Sequence, residues 1–352
     1  MPLRPGMAEC YMMSGLAAIT IKTNDYFMRN TLIAMLALAS VAAVAQDRKP
    51  HGRHSFTTDT LMVHDPVMAV EDGVYHVFST GNGLQHATSA DRRTWTVHAE
   101  PVLDSIPQWT HDSVPGFRRH VWAPDVIRYR GRWWMAYSCS TFGKRTSAIG
   151  LASSPTLAVG ARWRDEGPLV CSREGRDNWN AIDPSFVIDE NGRPWLAYGS
   201  FWGGIQLVGL DSTMHVAAGA RPQTIARRTT TGRANPIEAP FIFRHGDYFY
   251  LFVSWDYCCR GMESTYRVAV GRSKTVAGPY LDKDGRDMRD GGGTLVFEGD
   301  KREFEAAGHS AAYRFGDSDI FICHGYSIPR GGASILVQRP MAWTEDGWPK
   351  IF

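Results

Sequence analysis

The sequence predicts an all-β fold, a five-bladed β-propeller, and three observations carry that prediction. One hairpin pattern occurs five times: a polar or ionisable residue, a short apolar run, a turn, and a return strand rich in aromatics. The copies open at Asp65, Asp125, Asp183, Glu238 and His309, roughly 55–70 residues apart, a spacing that suits one blade per copy. No segment shows the apolar periodicity of a strong amphipathic helix. The first strand of each propeller blade lines the central channel. The five opening residues, distant in sequence, are therefore expected to converge near one axis.

Taken in order, blade one opens at Asp65 and turns at Asp72-Gly73, with an outer hairpin running on to Trp95. A Pro- and Gly-containing connection over 107–119 is expected to cross one face. Blade two opens at Asp125, turns at Gly131 and returns through Trp133-Trp134. Blade three opens at Asp183 and turns at Asn191-Gly192, the strongest hairpin signal in the chain because both turn positions need positive φ. Residues 200–205 turn it into its third strand. Blade four opens at Glu238 and turns at Gly246; blade five opens at His309 and turns at Gly316. The acid-rich segment 282–293 lacks the closing Glu of a calcium loop and reads as irregular. The polar segment 46–60 reads as a tether, one that could close the ring against the last blade.

The N-terminus is separate. Met28-Arg29-Asn30 is followed by a short Ala-rich apolar run and an Ala43-x-Ala45 site, the layout of a signal peptide over 28–45. Residues 1–27, including Cys10, then read as a mis-called start or an extension, and the mature chain as a single catalytic domain over 46–352 beginning at Gln46. The expected location is secreted or periplasmic, with no membrane attachment after cleavage. A net charge of +2 on 352 residues gives no reason to expect nucleic acid. Cys139, Cys171, Cys258, Cys259 and Cys323 fit neither a zinc pattern nor a disulfide framework and are read as free thiols, the adjacent pair included.

Carboxylates gathered on one channel beside Trp and Phe suit glycosidic cleavage: one acid protonates the leaving oxygen while another activates water or attacks the sugar. Trp202 and Phe142 are candidates to stack on sugar rings. H-E-x-x-H, G-x-S-x-G and phosphate-loop motifs are absent from the sequence.

Several motifs together resemble the arabinanases of glycoside hydrolase family 43, across essentially all of 60–350. They are His64-Asp65-Pro66, Trp122-Ala-Pro-Asp125, Asn180-Ala-Ile-Asp183-Pro-Ser, Gly199-Ser-Phe-Trp-Gly-Gly204, Glu238-Ala-Pro240, Cys258-Cys-Arg-Gly261, Gly271-Arg-Ser273 and Gly308-His309. The resemblance implies an inverting endo-hydrolase of α-1,5-linked arabinan, a pectin side chain, acting as a monomer. It implies Asp65 as general base, Glu238 as general acid and Asp183 as the residue that orients the acid and tunes its pKa. It implies Asn180, Ile182, Ser200, Phe201 and Trp202 as substrate contacts. It also implies one calcium ion in the channel, with His309 as its protein ligand and water elsewhere. Asp125 receives no proton-transfer role. The alternatives are an exo-acting arabinofuranosidase or β-xylosidase, and a carbohydrate-binding propeller without turnover.

Overall fold

A computed structural model describes residues 54–228 and 234–352. The expected extension at 1–27, the signal segment at 28–45 and the mature start at Gln46 lie outside the described residues.

Five antiparallel sheets follow one another along the chain. Blade one comprises β2 (Val67–Glu71), β3 (Val74–Ser79), β5 (Gln85–Ser89) and β6 (Trp95–Val97), with β1 (Phe56–Thr58) added outside β6. Between them in sequence, β4 (Gly81–Asn82) pairs with the start of the next blade. Blade two comprises β7 (His120–Tyr129), β8 (Arg132–Cys139), β9 (Ser147–Ser154) and β10 (Arg164–Ser172). Blade three comprises β11 (Ser185–Ile188), β12 (Pro194–Tyr198), β13 (Ile205–Gly209) and β14 (Gln223–Ala226). Blade four comprises β15 (Ile237–His245), β16 (Tyr248–Trp255), β17 (Arg267–Ser273) and β18 (Thr294–Glu298). Blade five comprises β19 (Phe304–Phe315), β20 (Ser318–Ser327), β21 (Ala333–Trp343) and β22 (Pro349–Ile351). The five-bladed propeller is as expected.

The core is distributed as one apolar cluster at each blade junction, and the second strands explain why. Side chains alternate across a strand. In β16, Phe249, Leu251 and Val253 pack toward blade three, while Tyr250 and Phe252 pack toward blade five. In β8, Trp133, Met135 and Tyr137 face blade one, while Trp134 and Ala136 face blade three. A strand buried on both faces cannot alternate apolar with polar, so these strands read as continuous apolar runs. Each buried Phe or Leu contributes about 1.5–3 kcal/mol against exposure.

Two expectations about the connections are corrected. Among the described residues of that segment, Phe56–Thr58 joins blade one as its outermost strand, and only Thr60 reaches blade five, accepting from Arg330 at 3.1 Å. Closure falls to residues 61–63, where Val63 N–H donates to Ser334 at 3.2 Å and Leu61 accepts from Leu336 N–H at 2.8 Å. The 107–119 connection contains a short helix, α1 (Gln108–Ser113), too brief for apolar periodicity to reveal. No helix among the described residues is long and apolar enough to cross a membrane.

Candidate active site

The blade repeat has a sharper register than the ionisable residues suggest. Asp65, Ala123, Asp183, Ala239 and His309 all adopt left-handed backbone, with φ of 54°, 42°, 56°, 51° and 52°. Each stands at the inner end of its blade, and proline follows the first four. Asp125 therefore lies two residues beyond the equivalent position, and Glu238 one residue before it. A left-handed L-residue costs roughly 1–2 kcal/mol and persists only where its surroundings fix it.

Here the fixing groups come mostly from the end of the second strand of the preceding blade. Ala123 N–H donates to Thr80 Oγ1 (2.9 Å), Asp183 N–H to Ser138 Oγ (3.0 Å) and His309 N–H to Ser254 Oγ (2.8 Å). Asp65 N–H donates to Nδ1 of His324 in blade five (3.1 Å), so the stitching runs around the ring. Blade three has Gly199 in that place, which offers no side chain. Its role passes to Asp183, whose Oδ2 accepts from Ala239 N–H at 3.2 Å. Asp183 thus holds the backbone next to Glu238.

Glu238 is buried. Its Oε2 accepts from Ser200 Oγ at 2.7 Å and its Oε1 from Tyr266 OH at 2.8 Å. Asp65 Oδ2 accepts from Thr80 Oγ1 at 2.5 Å, and Oδ1 lies 3.0 Å from both His64 Nδ1 and His309 Nδ1.

The proton positions around Asp65 follow from the hydrogen bonds. His324 Nδ1 accepts from the Asp65 amide, and burial with the His64 charge holds this imidazole well below its ordinary pKa, so its proton is on Nε2. That nitrogen donates to Tyr326 OH at 3.3 Å, which also accepts from Cys259 N–H at 2.6 Å. Tyr326 OH also lies 3.0 Å from His64 Nε2, and the other nitrogen of that ring, Nδ1, faces Asp65.

The charges separate accordingly. Burial raises the Asp65 carboxyl, but His64 and His309 outweigh it and hold it well below the usual range. Burial opposes charge on His309, yet the neighbouring carboxylates, Asp65 first, lift it to about 9. Burial raises Glu238 against the opposing hydrogen bonds of Ser200 and Tyr266. Burial also raises Asp183 well above its ordinary value; the His309 charge opposes this, and Glu238 and Asp65 add to it. Asp65 is poised ionised, while Glu238 and Asp183 are both held above their ordinary values. That divergence is what paired acid and base chemistry requires.

Comparison with known proteins meets this geometry directly. The family model for glycosyl hydrolases family 43 matches residues 60–349. The chain belongs to this family. As a family 43 member it is a glycoside hydrolase. An extracellular exo-α-(1→5)-L-arabinofuranosidase of Cellvibrio japonicus is 41% identical over 301 residues, covering 82% of this chain and 86% of that protein. An extracellular endo-α-(1→5)-L-arabinanase of Bacillus subtilis is 39% identical over 292 residues, covering 82% and 87%. The crystal structure of an exo-1,5-α-L-arabinanase from a bovine ruminal metagenomic library superposes with a TM-score of 0.80 at 51% identity, covering 84% of this chain and 98% of that one.

The structure brings Asp65, Asp183, Glu238 and His309 within electrostatic reach of one another. Ser200 is spent on Glu238. Asn180 is buried, its Oδ1 accepting from Ser147 Oγ at 2.7 Å, so it braces the wall instead of offering a free amide. Ile182 is buried one residue before Asp183. Phe201 packs against Tyr257 with ring centroids 5.7 Å apart, and Trp202 is 39% exposed; both have positive φ in the turn before β13. Phe142 is exposed. Asp125 lies in a different place: its Oδ2 accepts from Phe186 N–H at 2.6 Å and ties blade two to blade three.

Thr80, Tyr266, His324 and Tyr326 were missed. Thr80 and His324 had a signal, since the ends of four second strands are polar, but it became readable only with the register. The thiol reading of the adjacent cysteines is corrected: Cys258 and Cys259 form a disulfide, with Cys259 at φ 66° in the loop that reaches Tyr326. Cys139, Cys171 and Cys323 are free, as expected.

Proposed function

We propose that the protein hydrolyses α-1,5-linked L-arabinan with inversion of anomeric configuration. The observation that carries this reading is the divergence of Asp65 and Glu238, one pushed down and the other up at a common axis. Asp65 acts as general base. Its Oδ1 is engaged by two imidazoles, and Oδ2, with one donor from Thr80, keeps a lone pair for a proton from water. Glu238 acts as general acid and protonates the leaving oxygen. Asp183 positions it through the Ala239 amide and tunes it through like-charge coupling, which disfavours the two acids ionising together. Ser200, Phe201 and Trp202 lie on the substrate side of this machinery. Asn180 and Ile182 support that wall.

Two of the relatives named above are named as arabinanases and the third as an α-(1→5)-L-arabinofuranosidase. Those of 51% and 41% identity are named for exo action, and these support exo attack. The 39% relative is named for endo action, which matches the sequence expectation. Products from debranched arabinan separate the two. Exo attack releases one short product from the outset while viscosity barely falls; endo attack lowers viscosity early and yields mixed oligosaccharides. Proton NMR of the first product reads inversion independently, and a retained anomer would overturn the base assignment of Asp65.

The residues also fit a calcium ion on the channel axis. His309 directs Nδ1 at Asp65, the arrangement in which a ligating imidazole donates its other N–H to a carboxylate, so Nε2 is the atom that would hold the ion. His64, Asp65 and His324 bring potential ligand atoms within 4.8 Å of one another, but those atoms are engaged in the network around Tyr326. Water would therefore supply most of the oxygens that calcium prefers. Bound there, the ion would take the place of the Nε2 proton that the neighbouring carboxylates otherwise hold on His309, and would supply the positive charge facing them. We also propose export directed by residues 28–45, supported by the extracellular naming of two relatives. N-terminal sequencing of secreted protein should begin at Gln46, and residues from 1–27 in that material would contradict it.

A further inference from the structure

Beside Trp202 lies a cleft of about 430 Å³ whose wall carries Arg145, Arg227 and Arg228, together with Asn178 and Asn235. Trp202 follows Ser200 by two residues, and its carbonyl accepts from Asn235 Nδ2 at 2.9 Å. The cleft therefore opens on the flank of the site that carries Glu238.

The three guanidiniums are not equivalent. Arg228 forms an ion pair with Asp256, Nη1 2.6 Å from Oδ1 though without hydrogen-bond alignment, on a carboxylate it shares with Arg267, and its guanidinium lies over the Trp255 ring at 4.5 Å. Arg227 is exposed, and its guanidinium has no hydrogen bond or ion pair among the described residues. Arg145 is half-buried, and its Nε is buried without a hydrogen-bond partner among the described residues. The nearby Asp177 feels the Arg145 charge, but it is paired with Arg176 at 2.7 Å and accepts from the Arg173 amide at 2.8 Å. One guanidinium is thus spent and two face the cleft. A wholly neutral sugar gains little from two cations. A carboxylate matches the planar donor fork of arginine, and the Trp202 indole offers a face for a sugar ring.

We propose that this cleft is a subsite for a carboxylate-bearing sugar, a uronic acid unit, bound on the leaving-group flank by Arg145 and Arg227 and stacked on Trp202. This deepens the arabinan reading and rests on it for the assignment of flank, but the binding itself does not need turnover. The test is calorimetric titration of the full chain with trigalacturonate and with the same trimer after reduction of its carboxyl groups. The acid form is expected to bind at least about 10-fold more tightly at low salt, as one charge-assisted contact would give. That preference should shrink as salt screens the charges. Arg227→Gln and, separately, Arg145→Gln should each cut trigalacturonate binding about 10-fold and leave the reduced trimer's binding as it was. If Arg145→Gln fails to fold, the exposed Arg227 carries the test alone. Equal binding of the two trimers, or trigalacturonate binding unchanged in Arg227→Gln, overturns the proposal. A chain that binds trigalacturonate but leaves arabinan uncut would refute only the arabinan reading. One that cuts arabinan but ignores the acid trimer would refute only this subsite.

Discussion

Replacing Tyr266 with Phe should move the alkaline edge of the activity profile to higher pH. Glu238 accepts two hydrogen bonds, from Tyr266 at 2.8 Å and Ser200 at 2.7 Å, and both favour its ionised form against the effect of burial. A hydrogen bond to a charged group contributes about 1.5–3 kcal/mol, and 1.36 kcal/mol corresponds to one pH unit, so losing one donor should raise the carboxyl by about one to two units. A general acid works protonated, and activity is lost as pH rises through its pKa. The alkaline limb must therefore move upward by that amount, even if the peak rate falls through poorer orientation. Phe keeps the buried ring of Tyr266, so the fold should survive. Gly308→Ala reaches the same bond from outside, because a Cβ at Gly308 would overlap the Tyr266 ring; it should shift the limb in the same direction and also cost about 1–3 kcal/mol of stability. The assay is kcat/KM against pH on a soluble α-1,5-arabino-oligosaccharide, with Tm measured alongside. A Tyr266→Phe enzyme of normal Tm whose alkaline limb stays put or moves down would refute Glu238 as the general acid held by these donors.

Three further outcomes are expected. Asp65→Asn and Glu238→Gln should each lower turnover by about 10²–10⁴-fold with the fold retained, and a near-normal rate for either would remove it from the chemistry. Chelation should lower Tm and activity together if His309 holds calcium, because an ion bound by the native state alone stabilises that state; elemental analysis of fully active, chelator-treated protein finding no calcium would end that assignment. His86 stacks on Phe78 and meets His76 at 3.0 Å, and burial, with the charges of His76 and His98, depresses its pKa from 6.5 to about 3. A depressed histidine stays neutral in the fold, so its contribution is complete above pH 6.5 and is lost as pH falls toward 3. At about pH 5 the loss is about 2 kcal/mol, or about 3 °C of Tm for a propeller of this size. Calorimetry at about pH 7.5 and about pH 5 should show His86→Gln losing that much less than the wild type, and equal losses would contradict it.

The blade count was legible in the sequence because each blade is a local hairpin bounded by glycine turns, and local pairing leaves a local pattern. The doubly buried second strands were legible for the same reason, as unbroken apolar runs such as β16. The register was not. Ionisable side chains suggested that Asp125 and Glu238 occupy equivalent places in the repeat, whereas the repeat is a left-handed residue, four times followed by proline: Asp65, Ala123, Asp183 and Ala239, with His309 as the fifth. What pins that residue comes from other strands in space, Thr80, Ser138, Ser254 and His324, across intervals that no local pattern records. The pKa values of Asp65 and Glu238 belong to the tertiary structure for the same reason. Both are carboxylic acids with nearly the same chemistry in the unfolded chain, and only the surroundings the ring closes around them, two imidazoles for one and burial that outweighs its tyrosine and serine donors for the other, drive them apart. The Cys258–Cys259 bridge likewise depended on a backbone conformation, Cys259 at φ 66°, that adjacency in sequence did not reveal.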